Sequence, residues 1–155
     1  MAYIVENLVE KHIIFKYATQ YHTQKSTISS PENYEISDAE LSELKKFAGS
    51  DLYNYKTDVD IELERLETAL TNEYPNNTIN TNLKTLKTQI TNEKQKHFET
   101  YKEQIRNALG SEIVRHYYYD EGMIRYTLKH DPFVEKAKEI LQDTILYQKL
   151  LTQKK

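Results

Sequence analysis

Apolar residues along this chain recur at steps of three and four, the spacing of helices rather than of strands. Between Tyr3 and His22 they are dense. Ile4, Leu8 and Phe15 share one side of a helical projection, Val5, Val9 and Ile13 the next sector, and Ile14, Tyr17 and Tyr21 the far side. The pattern predicts one helix over Tyr3–His22 that is apolar all round, and such a helix needs neighbours on every side. It is therefore central to the fold, or one flank covers something outside this chain. Ile4, Val5, Leu8 and Ile13 are the candidate interface on that flank.

Polar residues then run from Thr23 to Glu35 and read as a linker. Ser37-Asp38-Ala39-Glu40 has the form of a capping box, followed by a Leu41, Leu44, Phe47 stripe and a stop at Gly49. An aromatic connector, Asp51 to Lys56, precedes Thr57, a cap with Asp58 and Asp60 placed well for the helix dipole. Val59, Leu63, Leu66 and Leu70 form a narrow seam like that of a coiled coil. Pro75 ends it.

The next element carries Ile79, Leu83, Leu86, Ile90, His97, Tyr101, Ile105, Ala108 and Leu109 along one face. Unbroken to Tyr117, it is a helix of about 38 residues spanning ~57 Å, with Gly110 as a weak point. Folding the chain about Pro75-Asn76 sets Leu70 opposite Leu83, Leu66 opposite Leu86 and Leu63 opposite Ile90, an antiparallel pair. A break is expected after Tyr117-Tyr118-Tyr119, at Asp120 to Gly122, and then a short helix, Met123 to Lys129. Asp131-Pro132 starts another helix, with Phe133, Ala137, Ile140 and Leu141 as its inner face. Asp143 caps a last short helix bearing Tyr147, Leu150 and Leu151. The fold class expected is all-α: a long-helix antiparallel hairpin, or arm, on a small helical base, with residues 1–155 as a single domain.

Composition narrows the function. Three glycines and three prolines in 155 residues leave few turns, which suits long helices. The net charge of −3 and scattered lysines give no basic face, so nucleic acid is not an expected partner. With no cysteine, thiolate metal sites and disulfides are excluded. The longest strongly apolar run, Ile13-Ile14-Phe15, is far too short to span a bilayer, and the first residues lack the features of a signal peptide. The fragment is expected to be soluble, without membrane insertion.

Candidate chemistry is thin. Ser42-Glu43-Leu44-Lys45 matches S-x-x-K, but its usual partner motifs S-D-N and K-T-G do not occur. The histidines His12, His22, His97, His116 and His130 show no H-x-x-x-H or H-E-x-x-H spacing, and His97 reads as a core histidine with a bonded tip. Acidic residues such as Glu62, Glu64 and Glu67 sit among lysines on solvated faces. The expectation is no catalytic residue, no metal and no cofactor in this chain.

Three stretches carry a resemblance. Ile14-Phe15-Lys16-Tyr17-Ala18-Thr19-Gln20-Tyr21, then Asp51-Leu52-Tyr53-Asn54-Tyr55-Lys56-Thr57, then Glu112-Ile113-Val114-Arg115-His116-Tyr117-Tyr118-Tyr119 occur in order. The last continues into Gly122-Met123-Ile124-Arg125 and Leu128-Lys129-His130-Asp131-Pro132. The sequence resembles the region after the protease core in carboxy-terminal processing (tail-specific) serine peptidases of the Bacteroidetes type, where arginine is expected at the place of His116. The resemblance implies an exported parent with a serine nucleophile, a lysine base and a PDZ-like module, all outside this fragment. It implies a non-catalytic helical domain that supports the protease core, assembles oligomers or docks a partner. The expected partners are its own protease core and a homodimer mate or adaptor protein. An independent helical scaffold or binding module is the alternative reading.

Overall fold

The computed structural model describes residues 1–74, 78–129 and 131–152. Pro75, Asn76 and His130, which the sequence reading used, lie outside the described residues. Among the described residues the regular structure is helical, with no strand.

The apolar N-terminal segment forms two helices, α1 (Tyr3–Glu10) and α2 (Ile13–Gln24), rather than one. His12, with φ 56° and ψ 26°, makes the break in the left-handed region, which histidine enters more readily than most residues. The break resolves the all-round apolar pattern. Each half is one-sided: Ile4, Val5 and Leu8 are buried on α1, and Ile13, Ile14, Tyr17, Ala18 and Tyr21 on α2.

The stretch after α2 is less of a linker than its polarity suggests, since Tyr34 and Ile36 are buried. Helix α3 (Asp38–Ala48) opens with the expected capping box, Ser37 Oγ accepting from the Glu40 amide and Glu40 accepting from the Ser37 amide at 2.8 Å. Leu41 and Leu44 are buried from α3, and a 3₁₀ turn, Gly49–Tyr53, adds Leu52. Buried Asn7 of α1 donates to the Asp51 carbonyl at 2.8 Å, tying the turn to the base.

Helix α4 (Asp58–Glu73) starts at Thr57, again with a capping box, here shared with Asp60. Helix α5 (Thr78–Gln95) lies beside it. Lys94 reaches Asp60 at 2.8 Å and Lys87 pairs with Glu67, so the two helices run in opposite directions. Their seam is wet. Leu63 and Leu83 are buried, but Leu66 and Leu86 remain 46% and 42% exposed.

The expected unbroken helix beyond Ile79 is divided. Lys96 and Tyr101 each interrupt it, giving α5, the single turn α6 (His97–Thr100) and α7 (Lys102–Lys129). Packing at the breaks accounts for the departure. His97 lies between Tyr55, whose hydroxyl is 2.8 Å from His97 Nδ1, and the Tyr101 ring, while Phe98 turns into the core. Helix α7 itself kinks at Tyr119 (φ 56°, ψ −160°), one residue before the break the sequence suggested. Residues after the kink carry on as helix to Lys129. Helices α8 (Pro132–Gln142) and α9 (Thr144–Thr152) complete the chain, with Asp131 and Asp143 as side-chain caps.

The core lies where α2 runs along α7, with α1, α3 and the 3₁₀ turn closing the sides. Ile105, Leu109, Ile113 and Val114 are fully buried from α7. At about 1.5–3 kcal/mol for each large aliphatic side chain taken out of water, this base holds the domain together.

Candidate interaction surfaces

The four residues expected to face a missing partner do not. Ile4, Val5, Leu8 and Ile13 are each at most 6% exposed within this one chain. The physical reason is the break at His12. It lets α1 and α2 present separate apolar faces to one core, so no flank is left over. What remains outside on these helices is Tyr3 at 40%, Val9 at 47% and Phe15 at 53%. Phe15 is partly occupied, with its ring 5.3 Å from that of His116.

The large uncovered apolar surface lies instead at α8 and α9, which bury no residue at all. The sequence reading set Phe133 and Leu141 on an inner face. They are 83% and 63% exposed, because only Val134 and Ile140 turn toward the rest of the molecule, and those only in part. On α9, Ile145 is 81% exposed and Leu151 68%. At about 100° per residue, Leu146, Tyr147, Leu150 and Leu151 share one side of α9, and Ile145 stands alone on the opposite side among Thr144, Gln148, Lys149 and Thr152. The polar side of α8 is already satisfied by its own ion pairs, Lys138 with Glu135 at 3.0 Å and Lys136 with Glu139 at 2.6 Å. One cue for this surface was available in sequence: Ile145 lies off the apolar stripe of α9.

An open groove of about 550 Å³ adjoins the start of α8. Val5, Ala108 and Tyr126 line it with apolar surface, and Gln104, Asn107, Thr127 and Asp131 with polar groups. Tyr126 anchors the kinked end of α7. Its ring packs on Gly110, where a Cβ would come within 2.0 Å of the phenol oxygen. Gly110 is thus the notch that admits a buried tyrosine, rather than a point of weakness. Burial, with Glu35 adding to it, pushes the Tyr126 phenol up to about 12.

A tyrosine–carboxylate cluster joins α2, the following loop and α3. Tyr34 donates to the Tyr21 oxygen at 3.2 Å, Tyr17 donates to Glu43 at 3.0 Å, and Lys25 lies 3.5 Å from Glu40. Burial pushes the Tyr17 and Tyr34 phenols well above their usual range, helped by Glu43 and Tyr21 respectively. Burial also opposes ionisation of Glu40, but hydrogen bonds from Tyr21 and Ser37 and the charge of Lys25 outweigh it and hold that carboxyl low. Phenols held neutral against an ionised carboxylate make a bolt between helices, not an acid–base pair.

The other candidates are also committed elsewhere. Ser42 donates to the Asp38 carbonyl at 2.8 Å, and Lys45 pairs with Glu99 at 3.4 Å and sits over the Phe98 ring. His116 Nδ1 lies 2.8 Å from the Glu112 carbonyl oxygen and its Nε2 3.2 Å from Thr19 Oγ1. His116 and His22 have ring centres 6.4 Å apart, yet no group of three metal-binding side chains occurs among the described residues. Among those residues, no helix is long and apolar enough to cross a membrane.

Residues 4–141 match a family model described as the C-terminal helical domain of a probable PDZ-protease. No curated protein and no solved structure matches the chain.

Proposed function

This chain belongs to the family of C-terminal helical domains of probable PDZ-proteases, and we propose that it is the non-catalytic docking element of a serine endopeptidase. The catalytic serine, its lysine base and the PDZ module are assigned to other parts of an exported parent. The observation that carries the reading is the pair α8–α9, two amphipathic helices none of whose residues is fully buried in the domain itself. Uncovered apolar surface on that scale marks a place where protein meets protein. The base, in contrast, has a buried core of its own.

The test uses the parent peptidase carrying Phe133→Asp together with Ile145→Asp. Both side chains are outside the core, so the domain keeps its fold while its apolar face becomes charged. Loss of proteolytic turnover or of assembly is the expected result. Unchanged turnover, assembly and thermal stability in the double variant would overturn the docking role. The 155-residue chain alone should not hydrolyse an apolar-tailed peptide; turnover abolished by Ser42→Ala would return the S-x-x-K reading.

A further inference from the structure

We propose that α7 carries a hinge at Tyr119 and passes between its folded-back form and a single straight helix, with Tyr126 in the Gly110 notch as the latch. Tyr126 meets Gly110, although along a straight helix the two would stand ~24 Å apart at 1.5 Å per residue. The chain therefore doubles back at Tyr119, whose φ of 56° and ψ of −160° belong to a region that is essentially glycine's. Its side chain is 79% exposed, so no packing of the ring compensates for that backbone. Glycine stands instead at two contact points. A Cβ at Gly110 would collide with the Tyr126 phenol, and one at Gly122 with the Tyr118 Cβ. The folded-back form is thus fitted at its contacts and strained at its turn. Strain of this kind persists only while the surrounding contacts hold it.

Those contacts are few. Of residues 120–129, only Gly122 and Tyr126 are buried. The open groove separates the two limbs, with Asn107, Ala108 and Ser111 before the turn and Tyr126 and Thr127 after it. Exposed ion pairs, Arg125 with Glu32 at 3.4 Å and Lys129 with Glu35, add little. The straight form meets no local obstacle. From Arg115 to Glu121 there is neither glycine nor proline, so Tyr119 is free to take helical φ and ψ. Tyr117 and Tyr118 donate to the Lys25 and Ile28 carbonyls at 2.6 and 3.1 Å. They anchor the limb before the turn, and the limb after it is the one that moves. That limb leads into α8 and α9, so the hinge sets how far they stand from the base. This use of the hinge rests on the docking role proposed above; the hinge itself does not.

Spin labels on Glu103→Cys and Thr127→Cys, in a 155-residue chain with no other cysteine, distinguish the two forms by distance. The straight form sets the labelled positions ~36 Å apart by helix rise alone. The folded-back form sets them much closer, since Thr127 follows the ring lodged at Gly110. The chain with no further change is expected to show mainly the short distance. Gly110→Ala, which evicts the ring while favouring helix, should bring up the long-distance population. Tyr126→Ala, which empties the notch without adding a methyl, should do the same. Tyr119→Gly added to either should lower that population about tenfold, because glycine relieves the turn and weakens the straight helix. Circular dichroism should be unchanged throughout. Short distances alone in both latch variants would overturn the hinge. So would a long-distance population indifferent to Tyr119→Gly, or a broad distribution with lost helix signal, in which the limb unravels rather than straightens. The docking variants do not enter this measurement: a failed hinge leaves α8–α9 as a docking surface, and a failed docking role leaves the hinge.

Discussion

Two helix pairs of the domain, α4–α5 and α8–α9, treat their apolar residues in different ways. In α4–α5 the seam is narrow and half wet, and lysine–carboxylate bridges span the pair at Lys94–Asp60 and Lys87–Glu67. Threonines cover its outer surface: Thr68, Thr71, Thr85, Thr88 and Thr91 each bond a carbonyl one turn back. In α8–α9 the ion pairs run within α8 and, among the described residues, none links the two helices, while large apolar side chains face outward. The first pair is bridged by its own charges yet still exposes Val59, Leu66, Ile79 and Leu86, whereas the second exposes Phe133 and Ile145 at 83% and 81%. Cross-helix charge marks the closed pair; intrahelical charge beside bare apolar residues marks the open one.

That contrast is broken first at its buried points. Leu83→Ala removes one of the two buried leucines of the α4–α5 seam and is expected to cost about 2–5 kcal/mol in chemical denaturation. Leu66→Ala, in the half-exposed layer, should cost about 1 kcal/mol or less. Equal costs at the two positions would mean that the seam is uniformly packed and that the ion pairs do not define the pair. Gly110→Ala comes next, at about 1–3 kcal/mol, since the new methyl meets the Tyr126 ring in a packed interior. Its effect should extend to the segment carrying α8, so amide exchange past Tyr119 is expected to speed up.

Acid separates the regions further. Burial works against the Asp60 charge, but Lys94 and the bonds from Thr57 outweigh it and hold the carboxyl below its usual range. A carboxyl lowered on folding stabilises the folded state above its unfolded value of about 3.9, and that contribution fades as pH falls through the lower folded value. The melting temperature should therefore drop below about pH 4. Asp60→Asn should weaken the wild type's advantage at neutral pH and make the acid limb shallower, as should Glu40→Gln in the base. An Asp60→Asn chain with the wild-type acid limb would remove Lys94–Asp60 from the account of how α4–α5 is closed.

The sequence was most legible where structure is made locally. The caps at Ser37, Thr57, Asp131 and Asp143 were read from residue type and spacing, because a side chain bonding an amide two or three residues on needs no tertiary context. All-helical structure followed from the three–four periodicity. The break at His12 was not legible, since the left-handed region is signalled by glycine and histidine there carries no warning. The kink at Tyr119 was placed by Gly122, whose real role is close contact with Tyr118 and Pro31. Missing the first break produced the wrong interface at Ile4, Val5, Leu8 and Ile13, since one cylinder was credited with the faces of two. Phe133 and Leu141 failed for another reason: an amphipathic stripe says that a face is apolar, not whose surface covers it.

The smallest predicted effect is the most informative about that last point. Phe133→Ser removes a phenyl ring that is 83% exposed and leaves the Asp131 cap and Pro132 in place. A phenyl ring buried in an ordinary helix–helix contact would cost about 3–5 kcal/mol to truncate. Because α8 buries nothing, the change measured at nanomolar concentration should stay within about 0.5 kcal/mol, the range of surface substitutions. In the parent peptidase, where the docking role proposed above places a partner on α8–α9, the same variant should melt below the wild type, since anything that binds only the folded state adds stability. A cost that is large at every concentration would mean that Phe133 packs within its own chain, and the distinction between the closed pair and the open one would fail at its clearest residue.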